Sequence, residues 1–236
     1  MATQSFIGID LGTTFSAIAH INEHGVPEII ENSEGERTTP SVVLFDGEEV
    51  SVGTYAKDNM VVYPGQGVEF VKRYMGDNLY DFEYNGKKYN ASEISSFILK
   101  KLKDDAEARL GTKISDVVIT VPAYFGDPQR RATIEAGKMA GLNVVQVIHE
   151  PTAAAYSYGL HKLGESQRVL VFDLGGGTFD VTLIEIGGDR IEVKATNGDH
   201  KLGGQDWDEA LIQYIAERFE SMHGNSPFED EGDYQA

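Results

Sequence analysis

The alternation of apolar and polar positions follows the same short pattern twice in this chain. Residues 7–18 read IGIDLGTTFSAI, and residues 170–183 read LVFDLGGGTFDVTL. Each copy has an apolar run that ends in Asp, a glycine turn, a threonine and a second apolar run, which predicts two strands joined by a tight turn. The copies lie far apart along the chain, so we expect one of them in each of two lobes.

The first copy is followed by strand and helix patterns in alternation, which predicts a mixed α/β class. The early segments begin with three antiparallel strands, at 5–10, 14–22 and 26–31. A polar loop follows at 32–40, and then a stretch of short strands and turns at 41–91. The later segments are a helix, a strand, a second helix, a second strand and an Ala-rich helix, at 92–110, 117–121, 127–141, 144–148 and 151–159. Ser92 and Asp127 are the expected N-caps of the first two helices.

The second copy begins a repeat of this order that stops early. Three strands are predicted, at 168–174, 178–186 and 190–197, followed by a helix from about Asp206 to Gly224. Leu211, Ile215, Phe219 and Met222 share one side of that helix. By internal analogy the second lobe lacks its later half, so its sheet should expose an apolar face. The first lobe is expected over 1–163, with an inserted segment over about 39–91. Half of a second lobe is expected over 164–224, and a disordered acidic tail over 225–236.

Composition narrows the possible partners. The chain has 236 residues, 41% of them hydrophobic, which is enough for two lobes with cores. It carries 20 basic and 38 acidic residues, a net charge of −18, which argues against nucleic acid or an anionic membrane as partners. It contains no cysteine, and we see no signal peptide and no apolar run long enough to span a membrane. A cytoplasmic location is therefore expected.

The repeated turn has the chemistry of a phosphate and metal site. Glycine lets backbone N–H groups approach an anion, and an Asp attracts Mg²⁺ through its water shell. A single copy is more typical of an ordinary hairpin with a polar turn, because short glycine motifs recur by chance. Three consecutive glycines, at 175–177, weaken a sheet, so the second copy favours a ligand that must come close. Two facing hairpins would hold a polyphosphate from both sides, which predicts an ATP-binding protein.

The motifs that surround the hairpins resemble a known family. They are IGIDLGTTFSA (7–17), NSEGERTTPSVV (32–43), VKRYMG (71–76), VITVPAYFGDPQRRAT (118–133), AGLNVVQVIHEPTAAAYSYGL (140–160), VFDLGGGTFDVTL (171–183) and GDHKLGGQDWD (198–208). Together they resemble the nucleotide-binding domain of the seventy-kilodalton heat-shock chaperones, within the actin, hexokinase and heat-shock ATPase superfamily. The resemblance implies a ribonuclease-H-like, actin-like ATPase fold with a complete first lobe and a truncated second lobe. The short segment after VKRYMG resembles the compact bacterial variants.

The resemblance also implies roles for individual residues around ATP or ADP and Mg²⁺. Asp10 and Asp173 would hold Mg²⁺ through water. Contacts to the nucleotide are implied for Gly12, Thr13, Thr14, Phe15, Gly175, Gly176, Gly177, Thr178, Gly203 and Gly204. The catalytic set implied for phosphoryl transfer is Lys72, Glu150, Asp173, Thr178 and Asp180. From the residues alone, a solvated surface lysine is the favoured interpretation of Lys72, and Glu150 is also typical of an acidic residue at a helix start.

Two further positions, Pro122 and Arg130, match those by which the family relays nucleotide state to its peptide-binding domain. From the residues alone, Pro122 is also typical of a strand end. The chain departs from the family at Phe15, where Tyr is usual, and at His149, where Asn is usual. The role of His149 is left open, with a structural histidine favoured.

The function implied by the resemblance is ATP binding and hydrolysis that controls the affinity of a separate domain for unfolded peptides. The implied partners of the complete protein are unfolded peptides, a J-domain co-chaperone and a nucleotide-exchange factor. Since the family builds its adenine pocket mainly from later residues, we expect this chain to bind nucleotide weakly or not at all. Two alternatives are a non-catalytic interaction module and a sugar or acid kinase of the same superfamily, and the HEPTAAA motif disfavours the second.

Overall fold

The computed structural model describes residues 6–159, 166–187 and 190–228. The strands are β1 (Ile7–Asp10), β2 (Phe15–Ile21), β3 (Pro27–Ile29), β4 (Thr39–Pro40), β5 (Val43–Asp46), β6 (Glu49–Val52), β7 (Gly67–Val68), β8 (Phe82–Tyr84), β9 (Lys87–Tyr89), β10 (Asp116–Val121), β11 (Asn143–His149), β12 (Gln167–Leu174), β13 (Phe179–Gly187) and β14 (Arg190–Asp199). The helices are α1 (Thr54–Asn59), α2 (Ala91–Leu110), α3 (Asp127–Met139), α4 (Glu150–Gly159) and α5 (Gly204–His223), with a 3-10 turn over Val71–Tyr74. The mixed α/β class predicted from the sequence is confirmed.

The first sheet has the strand order β11-β10-β1-β2-β3, and β4 adds to β2. Strands β1, β10 and β11 are parallel, whereas β1, β2 and β3 are antiparallel. The carboxyl ends of the parallel strands therefore meet at one edge. In the register Ile9 is paired with Ile119, and Val121 with His149. Strand β1 ends at Asp10, Pro122 follows β10 and Glu150 follows β11. The topology therefore brings these three residues to the same edge of the sheet.

Helices α2 and α3 build the core on one face of this sheet. Ile94, Ile98 and Leu102 recur every fourth residue along α2 and are buried against the sheet residues Ile9 and Ile119. Burying one such side chain contributes about 1.5–3 kcal/mol. This packing fixes the edge that carries Asp10.

The helix starts differ from the sequence prediction. Asn90, not Ser92, is the N-cap of α2: its side chain accepts from the Glu93 N–H at 3.0 Å, and Glu93 accepts from the Asn90 N–H at 2.8 Å. Ser92 lies inside the first turn and donates to the Ala132 carbonyl. Gly126 is the N-cap of α3, and Asp127 is its first helical residue.

The inserted segment forms a small sheet, β6-β5-β7, and a hairpin, β8–β9. Its centre is Phe45, whose ring lies 5.3 Å from that of Phe82 and 4.8 Å from that of Tyr89. Only short strands and turns were predicted here, and the six-residue helix α1 was missed because it has no long apolar periodicity. Between the small sheet and the hairpin lies the 3-10 turn, which carries Lys72 and Arg73.

The second sheet is the antiparallel meander β12-β13-β14. Ile184 and Ile186 on one face pack near Ala155 of α4. The other face is open, with Leu170 62% and Phe172 67% exposed. This agrees with the apolar face expected from the sequence.

Helix α5 leaves the second sheet with its apolar side towards solvent. Leu211 is 58%, Ile215 57% and Met222 70% exposed. The predicted side is therefore present and mostly open within the described residues; Phe219, its fourth member, is half-buried and lies 4.4 Å from the His223 ring of the same helix. Most of the predicted acidic tail, 229–236, and the boundary predicted at 163–164 lie outside the described residues. No helix in the described part of the chain is both long and apolar enough to cross a membrane.

Candidate functional site

The turn between β1 and β2 lies directly against the turn between β12 and β13. A Cβ built on Gly176 would lie 1.7 Å from Thr14 Oγ1, and one on Gly177 would lie 2.4 Å from Thr13 Cγ2. A Cβ on Gly175 would meet its nearest neighbour at 3.6 Å, an ordinary contact. Glycine at 176 and 177 therefore permits the two turns to touch. The sequence had suggested ligand approach as the reason for these glycines.

The hydroxyl of Thr14 is buried at this contact, and it has no hydrogen-bond partner within the described residues. A buried polar atom of this kind costs free energy unless a ligand or water satisfies it. The rest of the turn between β1 and β2 has its own hydrogen bonds. The Ser41 hydroxyl donates to the Gly12 carbonyl at 2.8 Å, and the Gly12 N–H donates to the Ser16 hydroxyl at 3.2 Å. Thr14 therefore offers a free donor inside an otherwise satisfied turn.

The start of α5 holds the second turn from its other side. The Gly204 N–H donates to the Gly175 carbonyl at 3.1 Å, and the Gln205 N–H donates to the Gly176 carbonyl at 2.9 Å. A Cβ on Gly203 would lie 2.5 Å from the carbonyl carbon of Gly176. The Gly203–Gly204 pair thus lies beside the glycine turn, as well as leading into the helix.

A buried ion pair lies where the 3-10 turn meets the sheet edge. Lys72 Nζ is 2.5 Å from Glu150 Oε1, and the Lys72 side chain is 8% exposed. Burial raises the pKa of Glu150; the Lys72 charge opposes that rise, while Asp10 and Asp173 add to it. The surface-lysine interpretation of Lys72 is therefore wrong, because the turn buries the ammonium against a carboxylate.

Aspartates surround this pair. Asp173 ends the apolar run of β12 and lies opposite Asp180 of β13. Burial raises the pKa of Asp173, the Lys72 charge lowers it and Asp10 raises it further. Burial also raises the pKa of Asp180, and the Asp173 charge adds to the rise. These carboxylates therefore repel one another around a single ammonium group, which makes a strong attraction for a cation.

The donor set suits a hydrated cation better than a directly bound one. Asp10 accepts a hydrogen bond from the Thr120 hydroxyl at 2.6 Å, which fixes its carboxylate at the sheet edge. Among the described residues, no three His, Cys, Asp or Glu side chains lie close enough to hold a metal ion between them. Mg²⁺ keeps several waters and commonly uses only one or two carboxylates. Asp10 and Asp173 fit that requirement.

Arg73 was not predicted, although it joins three parts of the site. Its Nε donates to the Gly177 carbonyl at 2.9 Å, and its guanidinium binds Asp206 of α5 in a bidentate pair, with Nη1 3.1 Å from Oδ1. The hydrogen bond from Arg73 is the main cause of the lowered pKa of Asp206. In the sequence, Arg73 is visible only as a second basic residue beside Lys72 in VKRY. That pattern does not indicate that its partner is the distant Asp206.

Tyr124 was also missed. Its ring centroid lies 3.7 Å from that of His200, and it is hydrogen-bonded to Thr178. Burial, followed by the charges of Asp180 and Glu150, raises the pKa of its phenol. Tyr124 therefore connects the segment after β10 with the second hairpin, and Thr178 is buried beneath it.

The remaining predicted residues lie around this centre. Phe15 is 45% exposed, and Lys57 Nζ lies 5.3 Å from its ring centroid. Arg130 Nη1 lies 3.0 Å from His149 Nε2. Burial, followed by the Arg130 charge, lowers the pKa of His149, so the neutral ring accepts this hydrogen bond. Pro122 follows Val121, the sheet partner of His149, and its carbonyl accepts from the Phe125 N–H at 3.1 Å.

An actin-like ATPase fold provides this arrangement. It brings two strand–turn–strand units into contact, with acidic residues and a buried Lys–Glu pair beside them. The chain belongs to the Hsp70 family: the family model described as Hsp70 protein matches residues 6–85 and 77–235. It is 54% identical over 225 residues to the chaperone protein DnaK of Thermotoga neapolitana. It is 53% identical to the DnaK proteins of Thermotoga petrophila and Thermotoga maritima.

Each of these alignments covers 95% of the chain and 38% of the relative. The chain therefore spans well under half the length of the curated relatives it matches. Its sequence corresponds to the N-terminal region of a chaperone of this family, within the nucleotide-binding domain.

Proposed function

We propose that this chain contributes the phosphate-binding and catalytic part of an ATPase domain in a heat-shock chaperone. The observation that carries the proposal is the buried hydroxyl of Thr14, without a partner among the described residues, at the contact between two glycine turns. The β- and γ-phosphates would lie at these turns and accept hydrogen bonds from Thr13, Thr14 and Thr178. The backbone N–H groups of the turns add further donors, as in other phosphate cradles.

The acidic residues and the ion pair have separate roles in this proposal. Asp10 and Asp173 would hold Mg²⁺ through water, and the ion would neutralise charge that develops on the phosphates. Glu150 fixes the Lys72 ammonium, which would stand beside the γ-phosphate and orient the attacking water. Asp180 and Glu150 would help to order that water. Such catalysis works by positioning and charge stabilisation rather than by a covalent step.

The adjacent residues in each turn complete the nucleotide contacts. Gly12 and Phe15 frame the first turn, and Gly175, Gly176 and Gly177 form the second. Gly203 and Gly204 would lie on the adenosine side, since the start of α5 packs against the second turn. We further propose that the first sheet with its helices is one lobe of the domain and that β12–β14 begin the other.

The activity of the complete protein is a wider proposal that rests on the family. ATP hydrolysis would control the affinity of another domain for unfolded peptides, with Pro122 and Arg130 in the relay. The contact between Arg130 and His149 supports this, because it ties α3 to the strand that leads into Glu150. A J-domain co-chaperone and a nucleotide-exchange factor would be partners of that protein. The cytoplasmic location also remains a prediction.

Titration calorimetry with ATP tests the phosphate site. We expect Mg²⁺-dependent binding weaker than about 10 μM, since the phosphate contacts largely replace hydration. Thr14→Val removes the unpartnered hydroxyl and keeps the shape, so it should leave the unfolding free energy equal or higher and weaken ATP binding by about tenfold or more.

The matched control is Thr112→Val, because Thr112 is exposed and distant in sequence from both turns. It should change neither quantity. The sequence alone also allowed for no nucleotide binding at all, but the unpartnered Thr14 hydroxyl favours measurable binding. Equal ATP affinity in the Thr14→Val variant, or no ATP binding by the wild-type chain at millimolar concentration, would therefore contradict the proposed function.

A further inference from the structure

His200 is a titratable residue near the two turns to which the proposed function gives no role. It lies between the end of β14 at Asp199 and the start of α5 at Gly204. The Lys201 N–H donates to the Asp199 carboxylate at 2.9 Å, which fixes the short connection that carries the imidazole. Because the start of α5 is bonded to the second glycine turn, His200 is held close to that turn.

The imidazole ring of His200 lies on the ring of Tyr124. The two ring centroids are 3.7 Å apart, and the ring planes are inclined by 33°. Tyr124 is fixed in turn, since its phenol is hydrogen-bonded to the buried residue Thr178. One aromatic ring therefore separates His200 from a hydroxyl group that the proposed function assigns to the phosphates.

The groups that face His200 belong to the acidic part of the site. Burial and then the Asp173 charge raise the pKa of Asp180 in β13, whereas the positive charges of His200 and then Lys72 lower it. Tyr124 stays a neutral phenol, because burial and then the Asp180 charge raise its pKa. A proton on His200 is therefore felt by the carboxylates that surround the phosphate position.

An exposed imidazole changes its charge close to neutral pH. The ordinary pKa of histidine is about 6.5, so a solvent-exposed ring is mostly neutral at pH 7. A nearby anion favours the charged ring and raises its pKa. His200 is exposed and keeps access to protons from solvent. A negatively charged magnesium nucleotide at the two turns would therefore draw a proton onto this ring.

We propose that His200 couples phosphate binding to proton uptake: its ring accepts a proton from solvent when the terminal phosphate of a magnesium nucleotide binds, and the resulting imidazolium attracts that phosphate. Tyr124 is the positioning residue, since its ring holds the imidazole in place. This inference rests on the proposed function, because the phosphates must lie at the two turns. It adds a control by pH, in which the contribution of His200 to the affinity rises as the pH falls from 8 to 6.

Titration calorimetry of the whole chain with MgATP, in buffers of different ionisation enthalpy, counts the protons taken up on binding. At pH 7 the wild-type chain should take up about 0.3–0.7 proton more per MgATP than His200→Gln, as a rise of about one pKa unit from the ordinary histidine value requires. The ratio of wild-type to His200→Gln affinity should be about fivefold larger at pH 6 than at pH 8. Protonation of the buried carboxylates is common to both proteins, so the comparison isolates His200.

A third protein, His200→Lys, separates the charge from the titration. Lysine keeps its positive charge between pH 6 and pH 8, so this variant should bind MgATP at pH 8 more tightly than His200→Gln, with the same proton uptake as His200→Gln. The matched control is His24→Gln, since His24 is also exposed and lies at the opposite end of β2 from the first turn. It should change neither the proton uptake nor the affinity.

The outcomes separate this inference from the proposed function. Equal proton uptake by the wild-type chain and His200→Gln, or a His200→Lys variant that binds MgATP at pH 8 no more tightly than His200→Gln, would overturn the role of His200 and leave the phosphate site standing. No binding of MgATP by the wild-type chain at millimolar concentration would overturn the phosphate site and this inference with it.

Discussion

Three carboxyl groups of the site lie in surroundings that make their ionisation less favourable. Burial raises the pKa of Asp173, Asp180 and Glu150, and neighbouring carboxylates add to each rise. A folded state with raised carboxyl pKa values binds more protons than the unfolded chain between the ordinary pKa and the folded one. The contribution of these groups to stability is therefore present at acid pH and is lost as pH rises through that window.

Asp173→Asn should therefore stabilise the fold at pH 7, by about 0.5–2 kcal/mol, while it removes Mg²⁺-dependent ATP binding. Asparagine has nearly the same shape and no charge, so the cost of burying the carboxylate and the repulsion from Asp10 both disappear, and together they exceed the lost attraction to Lys72. Chemical denaturation at pH 7 and again near pH 4, close to the ordinary Asp value of 3.8, should show the advantage shrinking with acid.

The control for this prediction is Asp58→Asn, which changes an exposed aspartate of α1. It should not produce the same pH-dependent gain. A variant at 173 that is less stable than wild type at pH 7 would show that the Asp173 carboxylate is held by favourable contacts instead.

At the scale of elements, the 3-10 turn and the start of α5 are joined through one arginine. Arg73 pairs with Asp206 and also donates to the Gly177 carbonyl, and only 14% of its side chain is exposed. A lysine cannot reproduce a bidentate pair and a third hydrogen bond together. The position of the second turn therefore depends on the planar guanidinium.

Arg73→Lys should increase local opening at the start of α5. The amides of Gly204 and Gln205 donate to the second turn, and we expect their protection from hydrogen exchange to fall by about 1–3 kcal/mol. Arg109→Lys is the matched control, since Arg109 pairs with Glu31 at 2.6 Å but is 60% exposed. Unchanged exchange at both amides in the Arg73→Lys variant would exclude this coupling.

Several elements were predictable because their signals are local. The apolar runs of β1, β10 and β12 and the glycine turns follow short patterns, and their predicted bounds agree closely with the structure. The contacts of Arg73 with Asp206 and of Tyr124 with Thr178 were not predictable, since they join residues far apart in sequence. The cap of α2 was misplaced because Ser92 and Asn90 are both good N-caps, and only the reciprocal bond with Glu93 distinguishes them.

At the scale of the whole molecule, the two copies of the repeat are buried to very different extents. Ile9 and Phe172 both precede the Asp of their copy, yet Ile9 is 1% exposed and Phe172 is 67% exposed. Helices α2 and α3 cover the first sheet, whereas the same face of the second sheet is open in the described chain. The open face favours the alternative of an interaction module.

Substitution at these two equivalent positions should show the difference directly. Ile9→Ala should lower the free energy of unfolding by about 2–5 kcal/mol, because it leaves a cavity in the core. Phe172→Ala should lower it by only about 0.5–1.5 kcal/mol, because the ring is 67% exposed and loses its contact with the Phe179 ring at 4.7 Å. Urea denaturation measures both, and a large loss from Phe172→Ala would show that the face is covered in solution.

The contact between Gly176 and Thr14 leaves no room for a side chain at position 176, since even a methyl group there would lie 1.7 Å from the Thr14 hydroxyl oxygen. One residue therefore constrains the spacing of both turns. In the proposed site the donors of the two turns would serve the same phosphates, so an alanine at position 176 would misplace both sets of donors together.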